Sequence, residues 1–315
     1  MRIETADRLK ALCIVLMVVG HCEIAPALHD FIYLFHIPLF FFVSGYFFKE
    51  DFSVAKVRLD VRRLLVPYAV GVLLVALRYA IDAFRTGSFE LLPRYAASAL
   101  VVGPGMHFAG YDNLDVGVLW FLPALFFCRV IYGLLSKVRH GTWIAAGVGF
   151  VACSLPEGIW LPFGLQQGIA GMFFYAAGHG FANARMLSGN RFALPTCAAI
   201  AVSAIWIPAI DMHVGLYPVP LLSALAPLGA CVLWWKLVYC LEGRRWKVFS
   251  AVSACGRISL VILTVHYFEA MTFAWHAKFA FVPLWAFPIV RFSIDLIVAV
   301  LLSKIPAIRR VFCIK

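Results

Sequence analysis

Long apolar stretches alternate with short polar, mostly basic segments from one end of the chain to the other. An apolar run of about 18 or more residues can cross about 30 Å of hydrocarbon as a helix. The pattern predicts ten such spans, at about 9–25, 31–48, 64–84, 117–136, 142–156, 165–183, 192–210, 217–239, 257–275 and 283–303. Backbone groups in lipid must be satisfied within their own segment, so the spans are expected to be helices. No Ser- or Gly-rich linker divides the chain and no internal repeat stands out. Residues 1–315 therefore read as one all-α, polytopic transmembrane helical bundle. Two segments depart from the alternation. Residues 50–63 set Lys56, Arg58, Asp60, Arg62 and Arg63 among Val54, Val57 and Val61, as a short interfacial helix would. Residues 85–116 form the longest connection, with Gly103-Pro104-Gly105 and the polar run 112–115, the kind of loop in which binding groups tend to sit.

Composition agrees with the pattern. The chain is 63% hydrophobic and 14% charged, whereas a soluble domain is nearer half apolar and about a quarter charged. The net charge of +11 does not imply nucleic acid, because the basic residues sit in the short connections, where they act as topology signals. With an inside N-terminus, 20 of the 27 Lys and Arg fall in inside segments, and only Arg85, Arg94 and Lys278 fall outside. Both termini are thus expected in the cytoplasm, with the bilayer as solvent. Five of the nine cysteines (Cys13, Cys128, Cys153, Cys197 and Cys231) lie within apolar spans and no C-x-x-C pair occurs, so they read as small packing residues. No small-residue cleavage site follows Arg2, Arg8 and Lys10, so the first span is expected to be retained.

Ionisable residues inside a membrane are costly, which makes each a functional candidate. Asp7, Lys10 and His21 are the polar residues of the first span. Eleven positions separate Lys10 from His21, about 16 Å along a helix and about 20° around it, so the two share a face. Lys10 then lies at the inner edge and His21 beyond the bilayer centre. Taken singly, Lys10 also reads as a snorkelling anchor and His21 as a helix-end histidine. His36 lies about five residues from the outer end of the second span, at a similar depth, and Pro38 loosens that helix. Two histidines at one level suit proton transfer near neutral pH. His266 and Glu269 are one turn apart in the ninth span. Arg291 and Asp295 are spaced as an i, i+4 structural pair. His179 has no assigned role, and His29, His107, His140, His213 and His276 read as solvated. No metal, dinucleotide or phosphate-loop motif is present.

Asp7-Arg8-Leu9-Lys10, followed by ten residues and Gly20-His21, resembles the opening motif of the acyltransferase 3 family of integral membrane acyltransferases. Phe35-His36-Ile37-Pro38, continuing to Ser44-Gly45, is similar to its second-helix motif. Arg62-Arg63 before Pro67-Tyr68, Leu119-Trp120-Phe121-Leu122-Pro123, and Gly256-Arg257-Ile258-Ser259 leading to His266 resemble its third, fourth and ninth helices. The matches are ordered over residues 3–270, and the fucose O-acetylase-like branch is the nearest in character. Lys10 stands where many members carry Arg, which keeps the charge but loses the bidentate fork. The resemblance implies transfer of an acyl group, usually acetyl, from acetyl-CoA to a sugar hydroxyl of a cell-surface glycan or its lipid-linked precursor. The implied setting is the cell inner membrane, with acyl-CoA as a donor substrate and no permanently bound cofactor. His21 is the implied base, or alternatively a nucleophile, with His36 or Ser44 stabilising the oxyanion. Asp7, Lys10, Arg62, Arg63, Trp120 and His266 are the implied substrate-binding groups. Lys10, Lys56, Arg58, Arg62 and Arg63 would clamp the donor's phosphates. The 56–63 cluster also reads as ordinary inside charge, and Trp120 also as a core residue. The rival reading is a proton-coupled transporter of a small solute, and a sensor or scaffold is a third.

Overall fold

The computed structural model describes residues 4–101, 115–155, 161–183, 193–242, 246–273, 275, 279 and 281–314, with the backbone alone at 107–108 and 111–112. In chain order the helices are α1 (Glu4–Gly20), α2 (Pro26–Tyr46), α3 (Val54–Asp60), α4 (Val66–Thr86), α5 (Leu91–Val101), α6 (Phe121–Leu135) and α7 (Gly141–Ala152). They continue as α8 (Leu165–Asn183), α9 (Ala193–Val202), α10 (Pro220–Tyr239), α11 (Lys247–Arg257), α12 (Ser259–Thr272), α13 (Phe287–Leu302) and α14 (Pro306–Val311). A two-residue hairpin pairs His107–Phe108 with Tyr111–Asp112.

Each of the ten expected spans is helical through most of its length. Among the described residues five helices are long and apolar enough to cross a membrane, or six if the bent pair α11–α12 counts as one span. The protein is thus a multi-pass, all-α membrane bundle. α4 and α13 turn apolar side chains outward: Leu73, Leu77, Phe84, Ile297 and Leu301 are all exposed. Contiguous exposed apolar surface of this kind is what a lipid-facing wall requires.

α1 is the inner helix. It packs against α2, α10, α11, α12 and α13 and buries residues all around its circumference, including Leu9, Ile14, Met17 and Val18. A helix enclosed in this way has no solvent face to specify. Two close approaches hold the bundle around it. At Gly45 a Cβ would overlap the backbone carbonyl of Tyr175, so α2 meets α8 backbone to backbone there. At Gly256 a Cβ would overlap the carbonyl oxygen of Asp7, so α11 rests on the first turns of α1.

The structure departs from the expected elements in four places. α1 ends at Gly20, leaving His21 in the turn just beyond it, because Pro26 opens α2 only five residues later. The interfacial segment does not stand apart: a π-helical turn at Val61–Leu65 joins α3 to α4 in one apolar helix, Val54–Thr86. An additional helix, α11, leads into the ninth span and meets α12 at a 65° bend around Ile258. The long connection carries the helix α5, anchored where Tyr68 donates to the Ala99 carbonyl (2.5 Å) and where the Tyr95 and Tyr267 hydroxyls meet (2.5 Å).

Candidate functional site

The short turn from Gly20 to Pro26 brings the end of α1 against the first turns of α2, and the two expected catalytic histidines come with it. His21 Nδ1 lies 2.7 Å from the Met17 carbonyl, one turn back on α1. His36 Nδ1 lies 2.8 Å from the Ile32 carbonyl, one turn back on α2. A carbonyl only accepts, so in each neutral ring the proton sits on Nδ1 and the lone pair is left on Nε2. Tyr33 sits between the two rings, 6.3 Å from His21 and 5.2 Å from His36 between centroids.

Both histidines and Tyr33 line a cavity of about 150 Å³ that is also walled by Met17, Trp120 and Asp115. A cavity of this size admits a benzene-sized group, and it is smaller than the roughly 300–1,000 Å³ of a typical ligand pocket. An acetyl group and the edge of a hydroxyl-bearing carbon fit within it. His21 is deep among protein atoms and yet its surface is open, because the ring faces this space.

His213 also lines the cavity. Asp211 and Leu216 form a bridge whose turn carries it inward, with the Asp211 carboxylate accepting from the His213 N–H (2.8 Å). The imidazole stacks on Trp120 at 5.1 Å and 10°, and its Nε2 lies 3.5 Å from Asp115. Asp115 in turn accepts from the Gly117 N–H at 2.9 Å. Burial pushes the Asp115 carboxyl up, but the His213 contacts and the Gly117 N–H outweigh it and hold the group below its ordinary value. His213 is therefore part of the site and not the solvated loop residue its position implied. The signal available in the sequence was the Asp211-x-His213 spacing of an Asx turn.

Behind His21 lies a buried charged cluster. His266 is fully enclosed and its ring meets His21 edge-on, 5.7 Å between centroids. Its Nδ1 is 2.9 Å from both Asp295 Oδ2 and Glu269 Oε1. Arg291 donates to Glu269 Oε1 from Nε (3.1 Å) and Nη2 (2.5 Å), and Trp275 donates to the other carboxylate oxygen. The expected Arg291–Asp295 pair along one helix is thus replaced by two pairs between α12 and α13, with Arg291 on Glu269 and Asp295 on His266. The remaining Arg291 donor, Nη1, reaches the His21 carbonyl at 2.9 Å. That bond satisfies a carbonyl left over at the C-terminus of α1 and sets a cation where the helix dipole favours one. His266 does not itself line the cavity but backs one of its walls.

The other expected binding residues lie elsewhere. Ser44 accepts from Arg129 (2.9 Å), which also contacts Asp60 at 3.0 Å. It is eight residues past His36, about 12 Å along α2, and so does not meet the histidines. Lys10 is 3.9 Å from Asp7 near the start of α1. Arg62 and Arg63 are exposed on the π-helical turn, where they face Arg309 and Arg310 of α14. His179, unassigned from sequence, is held by the Tyr132 hydroxyl (2.7 Å) and by Asn183 (2.9 Å). Arg185, Arg191, Arg244, Arg245 and His276 lie outside the described residues.

A membrane-embedded helical bundle that points two lone-pair-bearing histidines into an acyl-sized cavity has the equipment of a group-transfer enzyme. A family profile for the acyltransferase domain matches residues 3–304, and the chain belongs to this family, acyltransferase 3. No characterised protein and no solved structure matches the chain. The protein is a membrane acyltransferase.

Proposed function

We propose that this acyltransferase is an O-acyltransferase that moves an acyl group, by default acetyl, from acyl-CoA in the cytoplasm to a hydroxyl of a cell-surface glycan or its lipid-linked precursor. The observation that carries the reading is the tautomer of His21. Its Nδ1–H is spent on the Met17 carbonyl, and the ring lines a cavity that admits an acetyl group. In the proposed step Nε2 takes the proton of the acceptor hydroxyl as that oxygen attacks the thioester carbonyl. The tetrahedral intermediate collapses with cleavage of the C–S bond, and the departing thiolate recovers the proton from His21. The Tyr33 hydroxyl, on the same cavity, is a neutral donor for the oxyanion. His36 can donate from Nε2 only when protonated, because its Nδ1–H is committed to Ile32.

In this reading the basic end of the bundle, where Lys49, Lys56, Arg62 and Arg63 lie, faces the cytoplasm with both termini, and the membrane is the cell inner membrane. The polar groups Asp115, Asp211 and His213 then meet the acceptor from the other side. Trp120 offers a stacking platform for a sugar once His213 leaves its face, in keeping with the fucose O-acetylase-like resemblance. The test is His21→Ala, with His21→Gln as its near-isostere, followed by mass spectrometry of surface glycans. Acetylation is expected to fall by about 10²–10⁴-fold with the protein still present in the membrane. A normal acetyl content would remove His21 from the mechanism. Solute uptake into proteoliposomes without acyl transfer would favour a carrier.

A further inference from the structure

The arginines of the basic end are not spread evenly. Arg62 and Arg63 on the π-helical turn and Arg309 and Arg310 on α14 come from opposite ends of the chain and line one concavity of about 510 Å³, with Leu59 and Ile314 as its apolar wall. Among the described residues no carboxylate lies within ion-pair reach of any of the four. Three other cations of the region are paired, Lys56 with Asp51, Arg129 with Asp60 and Lys10 with Asp7, while Lys49 and Arg58 lie outside the concavity. The phosphate clamp expected from sequence is thereby divided. Its lysines are neutralised or set apart, and two of its arginines face two more that the linear pattern assigned to topology alone. π-Helical turns recur at functional sites, and here one carries Arg62 and Arg63 to the concavity.

We propose that Arg62, Arg63, Arg309 and Arg310 form one binding site for the phosphates of a nucleotide-linked donor; the proposal rests on the acyl-CoA reading and says where the donor is gripped. Four guanidiniums facing one space repel one another until an anion of comparable charge enters. A pyrophosphate diester plus a phosphomonoester carries about four negative charges near neutral pH, which matches four arginines, and guanidinium forks suit phosphate oxygens. A single lipid phosphodiester carries one charge and would leave three arginines uncompensated. The surroundings favour a nucleotide as well. A second recess of about 180 Å³ shares Leu59 and Arg63 with the first and is lined by Phe47 and Phe52, which gives a purine an aromatic face to stack on.

The experiment measures binding of CoA and of 3′-dephospho-CoA to the purified full-length protein by calorimetry, in nanodiscs of phosphatidylcholine with and without phosphatidylglycerol. Wild type is compared with Arg309→Gln/Arg310→Gln and with Arg309→Lys/Arg310→Lys. The Gln pair is expected to weaken CoA binding by about tenfold or more for each arginine lost. The Lys pair should fall in between, and removing the 3′-phosphate should cost wild type far more than the Gln variant. If the Gln variant does not fold, the Lys pair carries the test, because a charge-preserving change still removes the forks. Equal CoA affinity in wild type and variant would overturn the site while leaving the donor reading standing. Loss of phosphatidylglycerol-dependent stability with unchanged CoA affinity would reassign the pocket to lipid. A wild-type protein that binds no CoA in either nanodisc would overturn the donor reading, and this site with it.

Discussion

Arg291 joins the turn that carries His21 to the charged cluster behind it, and its replacement should disturb both. In Arg291→Met four bonds disappear: two to Glu269 Oε1, one to the His21 carbonyl and a weak one to Cys22 Sγ (3.8 Å). Glu269 is only 8% exposed. Stripping one partner from a buried ion pair costs about 3–5 kcal/mol, because the surviving charge stays desolvated. The freed His21 carbonyl adds about 1–3 kcal/mol at most, since the adjoining cavity can supply a replacement water. Glu269→Gln removes the stranded charge and keeps an oxygen for the Trp275 N–H. The double variant Arg291→Met/Glu269→Gln should therefore recover about 2–3 kcal/mol relative to the sum of the single changes. The assay is thermal unfolding of the four proteins in one detergent, with transfer activity measured alongside. Activity should fall further in Arg291→Met than in Glu269→Gln, because only the former releases the backbone of His21, and a shift of about 1 Å can cost about 10²-fold. Additive destabilisation in the double variant would refute the Arg291–Glu269 pairing.

Other expectations follow from single contacts. Gly45→Ala sets a methyl against the Tyr175 carbonyl and should destabilise by about 1–3 kcal/mol, as overpacking does; an unchanged melting temperature would mean that α2 and α8 are not so close. Asp115 is held below the ordinary carboxylate value of about 3.9, so its contribution is present above that value and is lost as pH falls through the lower folded value. Asp115→Asn should melt below wild type near pH 7, by less than about 1 kcal/mol for so open a contact. The gap should close as pH falls through that lowered folded value, and a gap that persisted in stronger acid would argue that the carboxylate is not held down.

The positions of the helices were legible because each long apolar run has to hide its backbone from lipid, whatever its neighbours do. The meeting of His21 and His36 was legible too. Each is near the end of its own span, and five residues of turn cannot separate the two ends. Local spacing failed where partners come from afar. Arg291 and Asp295 satisfy the i, i+4 rule, but α12 offers Glu269 and His266 to the same pair, and cross-helix pairing prevailed. Nothing near His213 in the chain announces that the Asp211–Leu216 bridge lays its ring on Trp120. Arg309 and Arg310 read as inside charge like any other, because their relation to Arg62 and Arg63 exists only after α14 folds back.

The same tautomers bear on whether the acyl group rests on the enzyme. Direct transfer needs the thioester carbonyl and the acceptor hydroxyl about 3–3.5 Å apart at one moment, and a cavity of about 150 Å³ holds an acetyl with one hydroxyl edge and little besides. An acyl-imidazole route would place the acyl group on His21 Nε2, since Nδ1–H is committed to Met17. That removes the base of the first step from the second. His36 Nε2 would then have to activate the acceptor, because its Nδ1–H is committed in the same manner to Ile32. The two routes therefore disagree about His36→Gln. Direct transfer predicts a slower enzyme that never carries label when mixed with radiolabelled acetyl-CoA alone. The acyl-enzyme route predicts a variant that loads His21 and cannot unload it. We expect no label, because one free nitrogen on His21 is enough for the base role and the cavity can bring both reacting groups to it. Acid-labile acetyl trapped on the protein in His36→Gln, and absent from His21→Ala, would establish the covalent route instead.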